Sequence, residues 1–166
     1  MAEHIADVVI STFGGIVPNE LIVFLISMLP IVELRGGMFA AKLFEIGYLK
    51  AFLICYAGNM LPVPFILLFI RRVFRFLKNK KIFSEIVKKL EDKTYLRSEK
   101  ALRWKGLGLL LFVAIPIPGT GGWTGSLIAA LLEMRIRVSF PVIAFGVFIA
   151  DLIMGGLIYG ILGSIV

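Results

Sequence analysis

Four apolar stretches, two long and two short, set the pattern of this chain of 166 residues. Residues 48–70 and 138–166 are continuous enough for helices that cross a hydrocarbon core of ~30 Å. The short pair is interrupted. Residues 21–29 run into Pro30 and then read Pro-Ile-Val-Glu-Leu-Arg-Gly-Gly; residues 107–115 run into Pro116 and then read Pro-Ile-Pro-Gly-Thr-Gly-Gly. Each break is followed by another short apolar run, at 38–44 and 127–132. Proline and glycine at these points end a helix and free backbone groups, which in lipid must be buried in protein or face water. Nine-residue arms are about half of what a crossing needs. Each broken stretch therefore predicts a re-entrant hairpin.

The hairpins resemble each other. Aligning Pro30 with Pro116 places Ile31 on Ile117, Gly36 on Gly122, Phe39 on Gly125 and Ala41 on Leu127. Farther on, Ala51-Phe52 falls near Ser139-Phe140, and Gly58 near Gly146. The expected architecture is one membrane domain, 1–166, of the all-α class. It holds two repeats, 18–70 and 106–166, each a re-entrant hairpin plus a transmembrane helix, joined by the linker 71–105.

Charge orients this arrangement. Mean hydropathy is +0.96, and the charged residues cluster in the linker, where thirteen Lys or Arg face Glu85, Glu91, Asp92 and Glu99. Positive loops stay inside, so the linker is expected in the cytoplasm. The first hairpin then dips from outside and the second from the cytoplasm, beside Arg135 and Arg137. The repeats become inverted, both termini lie outside, and the localisation is a multi-pass plasma-membrane protein. Ile82, Phe83, Ile86, Val87 and Leu90 form an apolar helical stripe flanked by lysines, which suits an amphipathic helix on the inner leaflet. A basic run between apolar spans does not fit a nucleic-acid partner. Residues 1–7 lack the basic start of a signal peptide, so insertion is expected through the hydrophobic segments themselves.

Candidate chemistry lies within the apolar stretches, where ionisable side chains are expensive. Glu33 and Arg35 occupy the first break, Asn59 precedes Pro62 and Pro64, and Asp151 lies deep in the last stretch. Gly36-Gly37 and Gly121-Gly122, with Thr120, are read as the starts of the returning arms. Half-helix amino termini there would favour an anion beside Arg35, while Glu33 or Asp151 would carry a coupling proton. The bland alternative is that one of these carboxylates pairs with Arg35 and locks the fold. Cys55 and His4 stand alone, with no disulfide, metal set or cofactor motif, and no enzymatic constellation is present.

The motif at residues 30–37, with Pro-Ile-Pro-Gly-Thr-Gly-Gly-Trp-Thr-Gly at 116–125, resembles the small multidrug export protein family over nearly the whole chain. That resemblance implies a coupled transporter of small molecules. The paired hairpins are similar, more distantly, to the DedA membrane proteins, which would imply flipping of polyprenyl-phosphate or other phospholipids. The DedA hairpin acidic residue would map to Glu33, and its arginine motif is loosely echoed by Arg135 and Arg137. Expected partners are membrane lipids, a small-molecule or lipid-phosphate substrate, and a second copy of the chain, since two hairpins and two spans enclose little alone. A third reading is a membrane factor that transports nothing and whose charges are structural.

Overall fold

The computed structural model describes residues 17–78, 99–117 and 119–161, and their regular elements are helical. They are α1 (Asn19–Met28), α2 (Glu33–Leu43), α3 (Tyr48–Met60), α4 (Pro62–Lys78), α5 (Glu99–Ala114), α6 (Gly122–Leu131) and α7 (Ile136–Gly155), the last continued by a π-helical turn, Gly156–Ile161. His4 and the amphipathic stripe at 82–90 lie outside the described residues.

Two segments are long and apolar enough to cross a membrane, Tyr48–Ile70 and Ile136–Gly160. The first is nearly one rod, because Leu61 between α3 and α4 keeps helical angles. Pro62 and Pro64 lack an N–H, so the carbonyls of Gly58 and Met60 have no donor one turn ahead. The arms are shorter. At 1.5 Å per residue α1 and α2 reach about 15 Å, and α6 the same.

The molecule is inside out by aqueous standards. Leu49, Leu53, Phe65, Leu68, Phe69 and Phe145 are exposed, while Ser27, Glu33, Asn59, Ser126, Ser139 and Asp151 are buried. Water would reject that apolar surface and lipid accepts it. The chain is a helical membrane protein. Its buried serines satisfy themselves along their own helices, Ser27 on Val23 O and Ser126 on Gly122 O.

Local geometry recurs along the chain. After α2, Glu45 turns left-handed at φ 55°, and after α6 Glu133 does so at φ 52°. Ile46 N bonds Ala41 O, and Met134 N bonds Ala129 O, which closes both helix ends in the same way. Extended residues, Gly47 and Arg135, then lead into α3 and α7. The packing recurs too. Gly37 abuts Ser27 and Cys55, and Gly125 abuts Val113 and Ile143. Gly58 lies under Phe24 O, and Gly146 under Leu110 O. These matches correct the alignment past the break: Gly125 has the role of Gly37, not of Phe39. The second break, 115–121, is longer than the first, 29–32.

The entrances of α1 and α3 are tied on one side by Lys50 Nζ and Glu20 Oε1, 2.6 Å apart. That hydrogen bond holds the Glu20 carboxyl below its ordinary range. Both side chains are well exposed, so screening leaves the pair little weight in stability.

Candidate functional site

The two breaks meet. Glu33, the first residue of α2, is buried and takes a left-handed φ of 50°, as Ile31 does at 79°. For a β-branched residue such as Ile31 that conformation is strained, by an amount on the order of 1–3 kcal/mol. The resulting kink points the Glu33 carboxylate at the other hairpin. There Oε1 accepts a hydrogen bond from Trp123 N, 3.2 Å away. Trp123 is the second residue of α6, whose own N-cap, Gly121, has no side chain to offer. Glu33 therefore caps a helix in the opposite hairpin, meeting both an orphan N–H and the positive end of the helix dipole. Gly121 lies so close to the carboxylate that a Cβ would overlap it, and its φ of 147° favours glycine independently.

Three further hydrogen bonds strengthen the junction. Half-buried Arg35 donates from Nη2 to Thr120 O and, at 3.0 Å, to Thr120 Oγ1. The Thr120 hydroxyl is also within bonding distance of Ile115 O and Ile117 O, so it organises the second break. Trp123 Nε1 donates to Met28 O at 3.0 Å, from the second hairpin back to the end of α1. Glu33 and Arg35 are close enough to interact electrostatically, yet they make no direct ion pair. The alternative of a carboxylate locked to Arg35 is thus replaced by two side chains that each cross to the other hairpin.

Asn59 lies beside this junction, in the middle of Tyr48–Ile70. Its amide is near Glu33 and close to Gly122 without a hydrogen bond of normal geometry. Asp151 is separate. Neither of its carboxyl oxygens has a hydrogen-bond partner, although the residue is fully buried. It lies within electrostatic range of Cys55 and Tyr56 on α3.

Of the residues singled out in the sequence, Glu33, Arg35, Asn59, Thr120, Gly121 and Gly122 therefore come together. Asp151 does not join them. Gly36 and Gly37 do not start the returning arm as the sequence pattern predicts: α2 begins at Glu33, so Gly36 closes its first turn and Gly37 opens the second. They serve close packing there, against Val32 and against Ser27 and Cys55. Trp123, which the sequence pattern does not single out, joins the junction through its backbone N–H and its indole N–H; its position next to the glycine pair is the available signal. No group of three or more His, Cys, Asp or Glu among the described residues is arranged to hold a metal.

No curated protein and no solved structure matches the chain. A family model does, over residues 33–153, and its description is "Putative small multi-drug export protein". The likeness to DedA proteins has no counterpart in these matches. Glu33 to Asp151 fall within the matched region, so both candidate carboxyl groups belong to the family portion of the chain. The chain belongs to the small multidrug export protein family.

Proposed function

We propose that this protein is a proton-coupled exporter of small molecules whose passage is closed, in this structure, by the junction of two re-entrant hairpins. The observation that carries the reading is the Glu33 to Trp123 hydrogen bond at the meeting of the two hairpins. Glu33 lies beside Asn59, halfway along the first span, and Gly122 lies against Asn59, Val63 and Val147, the last near the middle of the second span. Arms of about 15 Å that end at mid-span are what hairpins entering from opposite faces require.

Inverted halves are supported by a further contact. Tyr56 Oη donates to Ala144 O at 3.3 Å, and these residues are 88 apart, the separation that also relates Glu45 to Glu133. Equivalent residues that touch lie on a pseudo-two-fold axis. Secondary transporters place substrate and coupling-ion sites at such a repeat interface. Glu33 is the carboxyl group positioned to alternate between capping α6 and accepting a proton, which would release the hairpins. Asp151, buried without a partner, is a second proton carrier. A homodimer would widen the lipid-facing walls that one copy provides.

The test is efflux of a fluorescent dye from proteoliposomes on imposing a pH gradient. Wild type should show gradient-driven flux. Glu33→Gln retains an acceptor for Trp123 N and should fold, yet its flux should fall at least tenfold. Equal flux with and without a gradient in wild type, or full flux in Glu33→Gln, would defeat proton coupling through Glu33.

A further inference from the structure

Asp151 has surroundings of a different kind from the hairpin junction. On α7 it lies between Phe148, three residues before, and Gly155, four residues after, so all three share one helical stripe. Phe148 packs edge-on against Phe52, with ring centroids 5.4 Å apart, and against Tyr56 at 6.2 Å. Gly155 admits the Tyr48 ring so closely that a Cβ would overlap it. Tyr48 in turn meets Tyr159 at 5.5 Å. Tyr48, Phe52 and Tyr56 recur every four residues on α3, so their rings face this stripe as a ladder. Asp151 is buried and within electrostatic range of Tyr56, one rung of that ladder.

Two observations state which ligand such a place takes. The first is the orphaned carboxyl group, closed off from solvent and without a hydrogen bond. A carboxyl group so placed ionises only with a counter-charge beside it, and a cation supplies that. The second is that a ring packed on the end of the ladder, Tyr159 against Tyr48, already faces a cation, Lys42 Nζ, 5.3 Å from its centroid. Ring faces attract cations, most strongly poorly hydrated ones. A hard metal ion would want a shell of oxygens, and the ladder offers ring faces instead. Tyr48 and Phe148 are 37% and 38% exposed while Asp151 is closed off, so a bilayer-soluble ion meets these rings before it meets the carboxyl group.

We propose that the face between α3 and α7 binds a lipophilic organic cation, with Asp151 as counter-ion and the Tyr48, Phe52, Tyr56 and Phe148 rings as walls. Binding requires the part-exposed Phe148 ring to swing aside, a side-chain motion of the fastest class. As the substrate site of an exporter it rests on the function proposed above; as a binding site it stands alone.

The full chain in dodecyl maltoside, which supplies no ammonium group, would be titrated with tetraphenylphosphonium and, separately, with tetraphenylborate. The two ions share a shape and differ in sign. Phosphonium should bind at least tenfold more tightly than borate. Asp151→Asn should remove that preference, and Phe148→Leu should weaken phosphonium binding by about threefold or more, the scale of one cation–π contact. Should Asp151→Asn fail to fold, the comparison of ions in wild type and Phe148→Leu decides alone. Equal binding of both ions, or unchanged phosphonium binding in Asp151→Asn, overturns the proposal. Phosphonium binding without dye flux would leave the site standing and defeat export. Dye flux that bound phosphonium neither joins nor inhibits would leave export standing and defeat the site's role as its substrate site.

Discussion

Glu33 and Trp123, 90 residues apart, are joined by a hydrogen bond in which a carboxylate from one hairpin caps the helix of the other. The bond makes each hairpin a condition for the other's structure. It also gives substitutions near it unequal costs.

Gly121→Ala introduces a Cβ that overlaps the Glu33 carboxylate, at a φ that alanine rarely adopts. It should destabilise the fold by about 1–3 kcal/mol, the scale of one forced backbone strain. Gly108 is helical and has open space around it, so Gly108→Ala should stabilise by about 0.5–1 kcal/mol. Thermal unfolding in detergent compares the two, and equal shifts would mean that the junction does not form.

Arg35 reaches both Thr120 acceptors from one nitrogen, Nη2, and not through the two prongs of its guanidinium. A lysine can replace one such contact. Arg35→Lys should therefore keep part of the dye flux, within about tenfold of wild type, while Arg35→Ala should lose more, since charged hydrogen bonds are worth about 1.5–3 kcal/mol. Thr120→Val, which deletes the hydroxyl that bonds Ile115 O and Ile117 O, should cost about 1–2 kcal/mol of stability. Complete loss in Arg35→Lys with correct folding would show that the fork itself is used.

Topology is open to cysteine labelling in a Cys55→Ser background. Cysteines placed at Glu99 and the exposed Arg137 should react from the cytoplasmic side only, and a cysteine at Glu20 from the outside only. Glu20 and Tyr48 should label from the same face, as the Lys50 to Glu20 contact requires. Opposite-side labelling of those two positions would remove the re-entrant hairpin.

The sequence made the helices legible because lipid enforces them. Stretches 48–70 and 138–166 have the length and apolarity of spans, and Pro30 and Pro116 end helices within two residues of where α1 and α5 stop. The start of α2 was not legible. The turn at 29–32 feeds directly into the helix, with Glu33 N on Leu29 O and Gly36 N on Val32 O, so the helix begins before the glycine pair. The Glu33 to Trp123 cap was hidden for another reason, since no local rule pairs residues so far apart. Asp151 was visible as an expensive group. Its aromatic walls were half visible, as Tyr48, Phe52 and Tyr56 repeat at intervals of four, but that spacing gains meaning only when α7 lies opposite.

The cap across hairpins also bears on how the protein is made. When the ribosome has completed α3, the acceptor at Glu33 has been synthesised and its donor at Trp123 has not. The first hairpin then carries a kinked tip and an unmatched carboxylate, which a bilayer resists admitting. On the re-entrant reading proposed above, its descent should wait until α6 has been translated. Biogenesis would then couple late docking of the early hairpin to delivery of the second half, and a truncated nascent chain ending before residue 122 should leave that hairpin accessible at the bilayer surface.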